Sequence, residues 1–181
     1  MNFEGNIKVL QKNADVSALA DFCNGLTVKQ WDDWDHRQNT YPIHSGTKTF
    51  PLVWSSLESI SLPTVLMNTD SSSVKLAQPF IAFLENLYDG MVYKAMFTLL
   101  PEGGKIPPHI DTGEALLSIR RCHLVVTAED GVNFMVGDEN NYFAPGTLFE
   151  LNNSRLHSVT NNSDAPRVHL IVDILPQTLN E

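Results

Sequence analysis

His109 and Asp111 stand two residues apart, directly after Pro107-Pro108. In an extended segment alternate side chains leave the same face, and the two prolines stiffen the approach, so an imidazole and a carboxylate can clasp one cation there. Six histidines and twelve aspartates in 181 residues would produce a His-x-Asp by chance roughly 0.4 times. The pair alone therefore says little, and a solvated loop is the competing reading. His157 changes the balance. It falls in an expected late strand, and in a jelly roll an early strand end and a late strand come to lie side by side. Two imidazoles and one carboxylate on one face of a metal leave the opposite positions open, the donor set of non-haem Fe(II) oxygenases, whereas zinc is more often closed and tetrahedral. Taken singly, His157 reads more readily as a half-buried strand histidine bonded to a neighbouring carbonyl, and it is the combination that points to a metal.

Arg167 follows ten residues after His157, across the turn Asn161 to Pro166, on what the spacing makes the adjacent antiparallel strand. Its planar fork of donors suits a carboxylate held bidentately, such as the far end of a five-carbon diacid chelating the metal at its other end. The competing reading is an edge arginine paired with Asp164 or Asp173, worth about 0 to 1 kcal/mol if exposed. Arg121 and His123 share one face of a strand, where either can touch the metal-bound carboxylate or order a ligand; Arg120 points to the opposite face, toward solvent. Trp31, Trp34, Arg37 and His44 are candidates to line a substrate lid, or simply to cover a core.

The elements that must position these groups change character near residue 90. Before it, Val16, Leu19, Ala20 and Cys23 have helical spacing between a candidate Asp15 cap and Gly25. Phe80, Phe83, Leu84, Leu87 and Tyr88 form the stripe of a second helix, opening near Pro79 and ending at Asp89-Gly90. Val28 to Phe50 has no clean period and reads as loop with short strands. From Met91 onward, short strands alternate with Gly, Pro, Asn and Asp signals: Val92 to Leu100, Ile119 to Thr127, Val132 to Val136, Asn141 to Ala144, Thr147 to Leu151, Leu156 to Thr160 and Arg167 to Leu175. The expected fold is mainly β with bracing helices, a jelly roll of the double-stranded β-helix or cupin-like kind. The expected organisation is one domain over 1–181, with 1–90 as helical and loop support and 91–176 as the jelly-roll core holding the metal site.

With 43% hydrophobic and 18% charged residues, a chain of this length can bury a sizeable core. Its formal charge of -9 repels phosphate backbones and anionic bilayers, so neither nucleic acid nor membrane is an expected partner. MNFEGNIKVL lacks a signal-peptide layout, and the expected location is cytoplasmic. Cys23 and Cys122 suit a reduced compartment and form no thiolate cluster. Hydrolase elbows, phosphate loops and dinucleotide fingerprints do not occur in the sequence.

The segment from about Phe97 to Leu175 resembles the aspartyl/asparaginyl β-hydroxylase family, to which some bacterial proline hydroxylases are similar. Three blocks carry the resemblance: LLPEGGKIPPHID, RRCHLVV and NFMVGDENNYFAPGTLFELNNSRLHSVTNNSDAPRVHLIVDIL. Residues before Met91 match only around RQNTYPIHSGTKTFPL. The resemblance implies a double-stranded β-helix, Fe(II) at His109 and His157, 2-oxoglutarate at Arg167, and Arg121 near the co-substrate's other end. His123 is similar to the family's histidine in that strand. The animal enzymes lack the carboxylate of the triad, whereas Asp111 is present here, as in the bacterial amino-acid hydroxylases. Neither the membrane anchor nor the helical-repeat domain of the animal enzymes appears in the sequence, so a role in the endoplasmic reticulum is not expected.

The expectation is a dioxygenase that uses Fe(II), 2-oxoglutarate and O2 to hydroxylate an unactivated C-H bond of an amino acid or of an Asp/Asn-like residue in a protein or peptide, releasing succinate and CO2. A closed chamber would favour the free amino acid, an open groove the polypeptide. The alternatives are a non-catalytic jelly-roll module that binds metal or regulates, and a cupin that uses another metal without an oxoacid.

Overall fold

The computed structural model, which describes residues 3–55, 65–66 and 72–177, lays most of the chain into two antiparallel sheets. In chain order the elements are β1 (Ile7–Gln11), α1 (Ser17–Gly25), α2 (Val28–Asp32), α3 (His36–Thr40), a 3-10 turn (Pro42–His44), β2 (Lys48–Trp54), β3 (Val65–Leu66), α4 (Ser72–Tyr88), β4 (Gly90–Leu100), β5 (Lys105–His109), α5 (Glu114–Ser118), β6 (Arg120–Thr127), β7 (Val132–Val136), β8 (Glu139–Asn141), β9 (Leu148–Leu151), β10 (His157–Asn161) and β11 (Arg167–Pro176). The larger sheet runs β1-β9-β6-β11-β4-β2-β3 and the smaller β5-β10-β7-β8. The jelly-roll architecture expected from the turn spacing is thus the one that forms.

Side-chain alternation divides the interior into two compartments. On β11, Val168, Leu170, Val172 and Ile174 join the core beneath the helices, as do Cys122, Leu124 and Val126 on β6 and Ala95 and Phe97 on β4. Leu19 and Cys23 of α1 and Ala77, Ile81 and Leu84 of α4 close that core from outside. A second core, between the sheets, holds Leu100, Ile106, Val125, Phe134, Phe149, Leu151 and Val159. The intervening positions of β4, β6 and β11 face the same interval between the sheets, and they include buried polar groups: Lys94 and Thr98, His123, and Arg167, His169 and Asp173. A strand residue that is polar every second position, with an apolar opposite face, is a residue aimed at a cavity.

Several expectations need correction. The boundary at residue 91 does not separate support from core, because β1 and β2 are integral strands of the larger sheet, paired with β9 and β4. Pro51 within β2, followed by a register shift, obscures that strand's period in the sequence. The strand expected at Asn141 to Ala144 lies earlier, at Glu139–Asn141, where it pairs with β7. Helix α4 begins well before Pro79, which sits inside it, and the helix buries Ser73, Ala77, Ile81 and Leu84 while Phe83 and Leu87 are exposed. For α1 the N-cap position is Val16, with no side-chain cap, rather than Asp15, whose carboxylate accepts from the Ser17 amide at 3.0 Å and the Ser17 hydroxyl at 2.7 Å.

Among the described residues no helix is long and apolar enough to cross a membrane.

The α4–β4 junction depends on Gly90, because a Cβ there would lie 2.6 Å from the Leu175 carbonyl oxygen and 2.8 Å from Ile174 Cγ2. Backbone cannot withdraw cheaply, so Gly90→Ala is expected to destabilise the protein by about 1 to 3 kcal/mol. Urea unfolding should show a lower midpoint with an unchanged slope.

Candidate metal centre

The strand pairing brings His109 and His157 together. They are register partners across β5 and β10, with ring centroids 4.2 Å apart. Strand β5 is at the edge of its sheet, where Pro107 and Pro108 cost little because their missing N–H groups are not required by a second neighbour. Asp111 follows two residues on, its amide donating to the Asn153 carbonyl at 3.1 Å. Asn153 in turn donates from Nδ2 to the Leu116 carbonyl at 2.7 Å, so the turn before β10 holds the loop after β5. Ligand atoms of His109, Asp111 and His157 lie within 4.8 Å of one another.

Both imidazoles are oriented by their own backbone. His109 Nδ1 is 2.9 Å from the Pro107 carbonyl oxygen and His157 Nδ1 is 2.9 Å from that of Arg155. A carbonyl can only accept, so each Nδ1 carries a proton and Nε2 is the ring atom left for the shared centre. Burial lowers the His157 pKa, which keeps the ring neutral, as a ligand must be. Burial pushes the Asp111 carboxyl up, but the positive groups around it, Arg121 first, more than reverse this and hold it below the usual carboxylate range. Two imidazoles with Nδ1 tied to backbone carbonyls and an ionised carboxylate, converging on one point, fit a divalent first-row metal.

Arg121 fixes the carboxylate. Its Nη1 donates to Asp111 Oδ2, while Nε and Nη2 grip the two oxygens of buried Asp173, each at 2.8 Å. The two carboxylates raise the Arg121 pKa despite its burial. Asp173 was a candidate partner for Arg167 and belongs to Arg121 instead. On the far face of β6, Arg120 meets Glu150 at 3.4 Å and lies over Tyr88, so it is partly covered by α4 rather than free in solvent.

Next to the triad is a cavity with an empty volume of about 440 Å3, lined by His109, His157, Arg121, His123 and Arg167 together with apolar residues of the second core. Arg167 is only 2% exposed, and burial lowers its pKa to about 10. It reaches this cavity by a different route from the one the spacing suggests. β10 and β11 do not pair; the chain crosses from the smaller sheet to the larger in the turn between them, so Arg167 and His157 enter one cavity from different sheets. Asn161 anchors that crossing, its Nδ2 donating to the Pro101 carbonyl at 3.0 Å and the Ala165 carbonyl at 2.8 Å.

Four buried polar atoms that line this cavity have no hydrogen-bond partner among the described residues: Arg167 Nε, His123 Nε2, His44 Nδ1 and Thr98 Oγ1. An unsatisfied buried polar group costs roughly 1 to 3 kcal/mol, and concentrating four in one chamber marks it as a receptacle for a polar ligand. His123 is held by Phe149, stacked at 5.2 Å, and by His169, whose Nδ1 is 3.3 Å from its own.

The lid candidates divide. Arg37 and His44 line the cavity, with the His44 ring 5.4 Å from that of His109. Trp31 belongs to the core under the helices, and Trp34 packs edge-on against Trp54 at 4.6 Å. Lys94, Thr98, His169 and Asp173 are groups of this interior that the motifs did not single out as site residues. Their signal was the period-two placement of polar residues in apolar strands, as in Tyr93 to Leu100 and Arg167 to Ile174. Both cysteines are free and buried, and burial drives the Cys23 thiol up to about 12 and Cys122 higher still.

Comparison with known proteins bears on the whole chain. The aspartyl/asparaginyl beta-hydroxylase family profile matches residues 13–176. Among curated sequences none matches. An oxidoreductase of the 2OG-Fe(II) oxygenase family from Burkholderia pseudomallei superposes with a TM-score of 0.58 at 12% identity, covering 92% of this chain and 93% of its own. A predicted oxalate decarboxylase from Thermotoga maritima gives a TM-score of 0.39 at 16% identity, with coverages of 50% and 72%. The Schizosaccharomyces pombe Cnp3 cupin domain gives 0.38 at 10% identity, with coverages of 45% and 55%.

Proposed function

Because the chain belongs to the aspartyl/asparaginyl beta-hydroxylase family, we propose that it is an Fe(II)- and 2-oxoglutarate-dependent dioxygenase that hydroxylates an unactivated C-H bond of an amino-acid or peptidyl, Asp/Asn-like substrate. The observation that carries this reading is the coincidence of an open-faced His-Asp-His donor set with an adjoining cavity whose polar atoms lack partners. Similarity in fold to the Burkholderia oxidoreductase supports it.

When bound, Fe(II) with 2-oxoglutarate and O2 supplies the oxidation, converting the oxoacid to succinate and CO2 and leaving one oxygen atom as a hydroxyl on the substrate carbon. The chain's own residues do the rest. His109 and His157 offer Nε2 and Asp111 a carboxylate oxygen, and Arg121 holds that carboxylate against rotation while Asp173 holds Arg121. Arg167 receives the distal carboxylate of the co-substrate as a charge-assisted pair, and the unpartnered Nε2 of His123 and Oγ1 of Thr98 supply further polar contacts. Ile106, Phe134, Leu151 and Val159 wall the chamber and exclude water, which strengthens every electrostatic contact inside.

The test is 2-oxoglutarate turnover by the purified protein, first alone and then against a panel of amino acids and Asp- or Asn-containing peptides, read as succinate formed. Turnover that needs Fe(II), stops on chelation and rises with a substrate is the expected result. A protein that neither binds nor consumes 2-oxoglutarate under Fe(II) would be the non-catalytic module instead.

A further inference from the structure

Asp111 borders a second cavity, with an empty volume of about 370 Å3, to which Tyr41, Trp54 and Lys94 contribute and which shares Arg37 and Arg121 with the chamber just described. Two of these cations have no acid of their own among the described residues. Lys94 is 3% exposed, and its ammonium rests over the Trp54 ring at 4.2 Å with no hydrogen bond or ion pair among the described residues. Arg37 is buried, and its polar contact is a long one, 3.4 Å from Nη1 to the Thr47 hydroxyl. Asp173 lies opposite Lys94 on the neighbouring strand, but both its oxygens are taken by Arg121. Glu150, also buried, serves Arg120 and Tyr88 on the helix side of the sheet.

Charge balance sharpens the point. Among the described residues of this interior, Arg37, Lys94, Arg121 and Arg167 face only Asp111 and Asp173, while the buried histidines His44, His123 and His169 are held neutral by burial. A divalent ion and a dianionic oxoacid cancel one another, so loading both leaves the cationic excess in place. Buried charges are normally paired, because an uncompensated one is costly. A protein that keeps two such cations beside a reaction centre keeps them for something that arrives.

Resting on the function proposed above, we propose that Lys94, seated on Trp54, and Arg37 form an anion-holding subsite, and that the molecule hydroxylated presents a free carboxylate to it. Burial lowers the Lys94 pKa to about 8 and that of Arg37 to about 9, as expected for cations awaiting a counter-charge. The ammonium supplies a point charge and the guanidinium a fork of donors, so the carboxylate is oriented as well as attracted. Trp54 fixes the lysine against wandering, and Trp34 packs against Trp54 in turn.

The experiment uses the full chain with Mn(II) and saturating 2-oxoglutarate, titrated calorimetrically with free amino acids and small dicarboxylic acids and with their matched carboxamides. An acid is expected to bind at least about tenfold more tightly than its carboxamide. Lys94→Met is expected to erase that preference while 2-oxoglutarate affinity stays within about twofold. Acids and carboxamides binding alike, no acid binding at all, or a preference that survives Lys94→Met would overturn the subsite. A second readout separates function from structure. Removing an uncompensated buried charge should raise the melting temperature, by roughly 2 to 4 °C, whereas a lysine that holds the fold together would lower it when replaced and so sink the proposal. Should 2-oxoglutarate itself fail to bind the unaltered protein, the dioxygenase reading falls, and the melting shift still decides whether Lys94 is an unpaired cation.

Discussion

His157→Ala is expected to abolish 2-oxoglutarate turnover, and Asp111→Ala to do the same. Each leaves only two protein donors, too few to hold a weakly bound divalent ion such as Fe(II) against dilution. The two losses should differ in a second measurement. Removing the His157 ring takes away a neutral ligand and enlarges the cavity that the ring lines. Removing the Asp111 carboxylate takes away the only formal charge in the donor set and also releases Arg121, which then keeps Asp173 alone. Calorimetric titration with Mn(II) should therefore show binding weakened in both variants, and Asp111→Ala should in addition lose stability, since breaking one partner of a buried pair costs roughly 3 to 5 kcal/mol. Substrate-dependent succinate formation at an undiminished rate in either variant would remove that residue from the metal.

The second large effect belongs to Arg167. Arg167→Ala should raise the 2-oxoglutarate requirement about ten- to hundred-fold, because a charge-assisted hydrogen bond contributes roughly 1.5 to 3 kcal/mol. The change should appear in KM for the co-substrate and in its directly measured Kd, with Mn(II) affinity unaltered. Arg167→Lys keeps a charge but gives up the planar fork, so it should fall between the two. An unchanged dependence on 2-oxoglutarate would show that the buried guanidinium serves the fold alone.

Much of this site could be read before any coordinates, and the reasons differ residue by residue. His109, Asp111 and His157 were legible because strand alternation and jelly-roll order together dictate convergence; the observed register, His157 opposite His109, is that convergence made local. Arg167 was legible as a cation ten residues beyond His157, but its path was not. Whether β11 pairs with β10 or crosses to the other sheet depends on the turn anchored by Asn161, a set of side-chain-to-backbone bonds that leaves no period in the sequence. Asp173 was weighed only as a partner for Arg167, because its true partner is set by the register of β11 against β6, where Asp173 lies opposite Arg121. Strands β1 and β2 escaped for a plainer reason: the first is five residues long and half exposed, and the second contains a proline. Lys94 carried a signal that went unread, a charge in the middle of an apolar strand.

The two histidine rings are tethered through Nδ1 to carbonyls two residues upstream, and this has a bearing on which ion the protein ends up carrying. Rings clamped beforehand receive nickel, copper or zinc as readily as iron, and by the Irving–Williams order those competitors are gripped harder. For the dioxygenase proposed above, loading with iron would then be governed by the surrounding supply of ions, not by discrimination at the clamp. Protein passed over an immobilised-nickel column should emerge poisoned, and should recover only after stripping and reloading with ferrous salt.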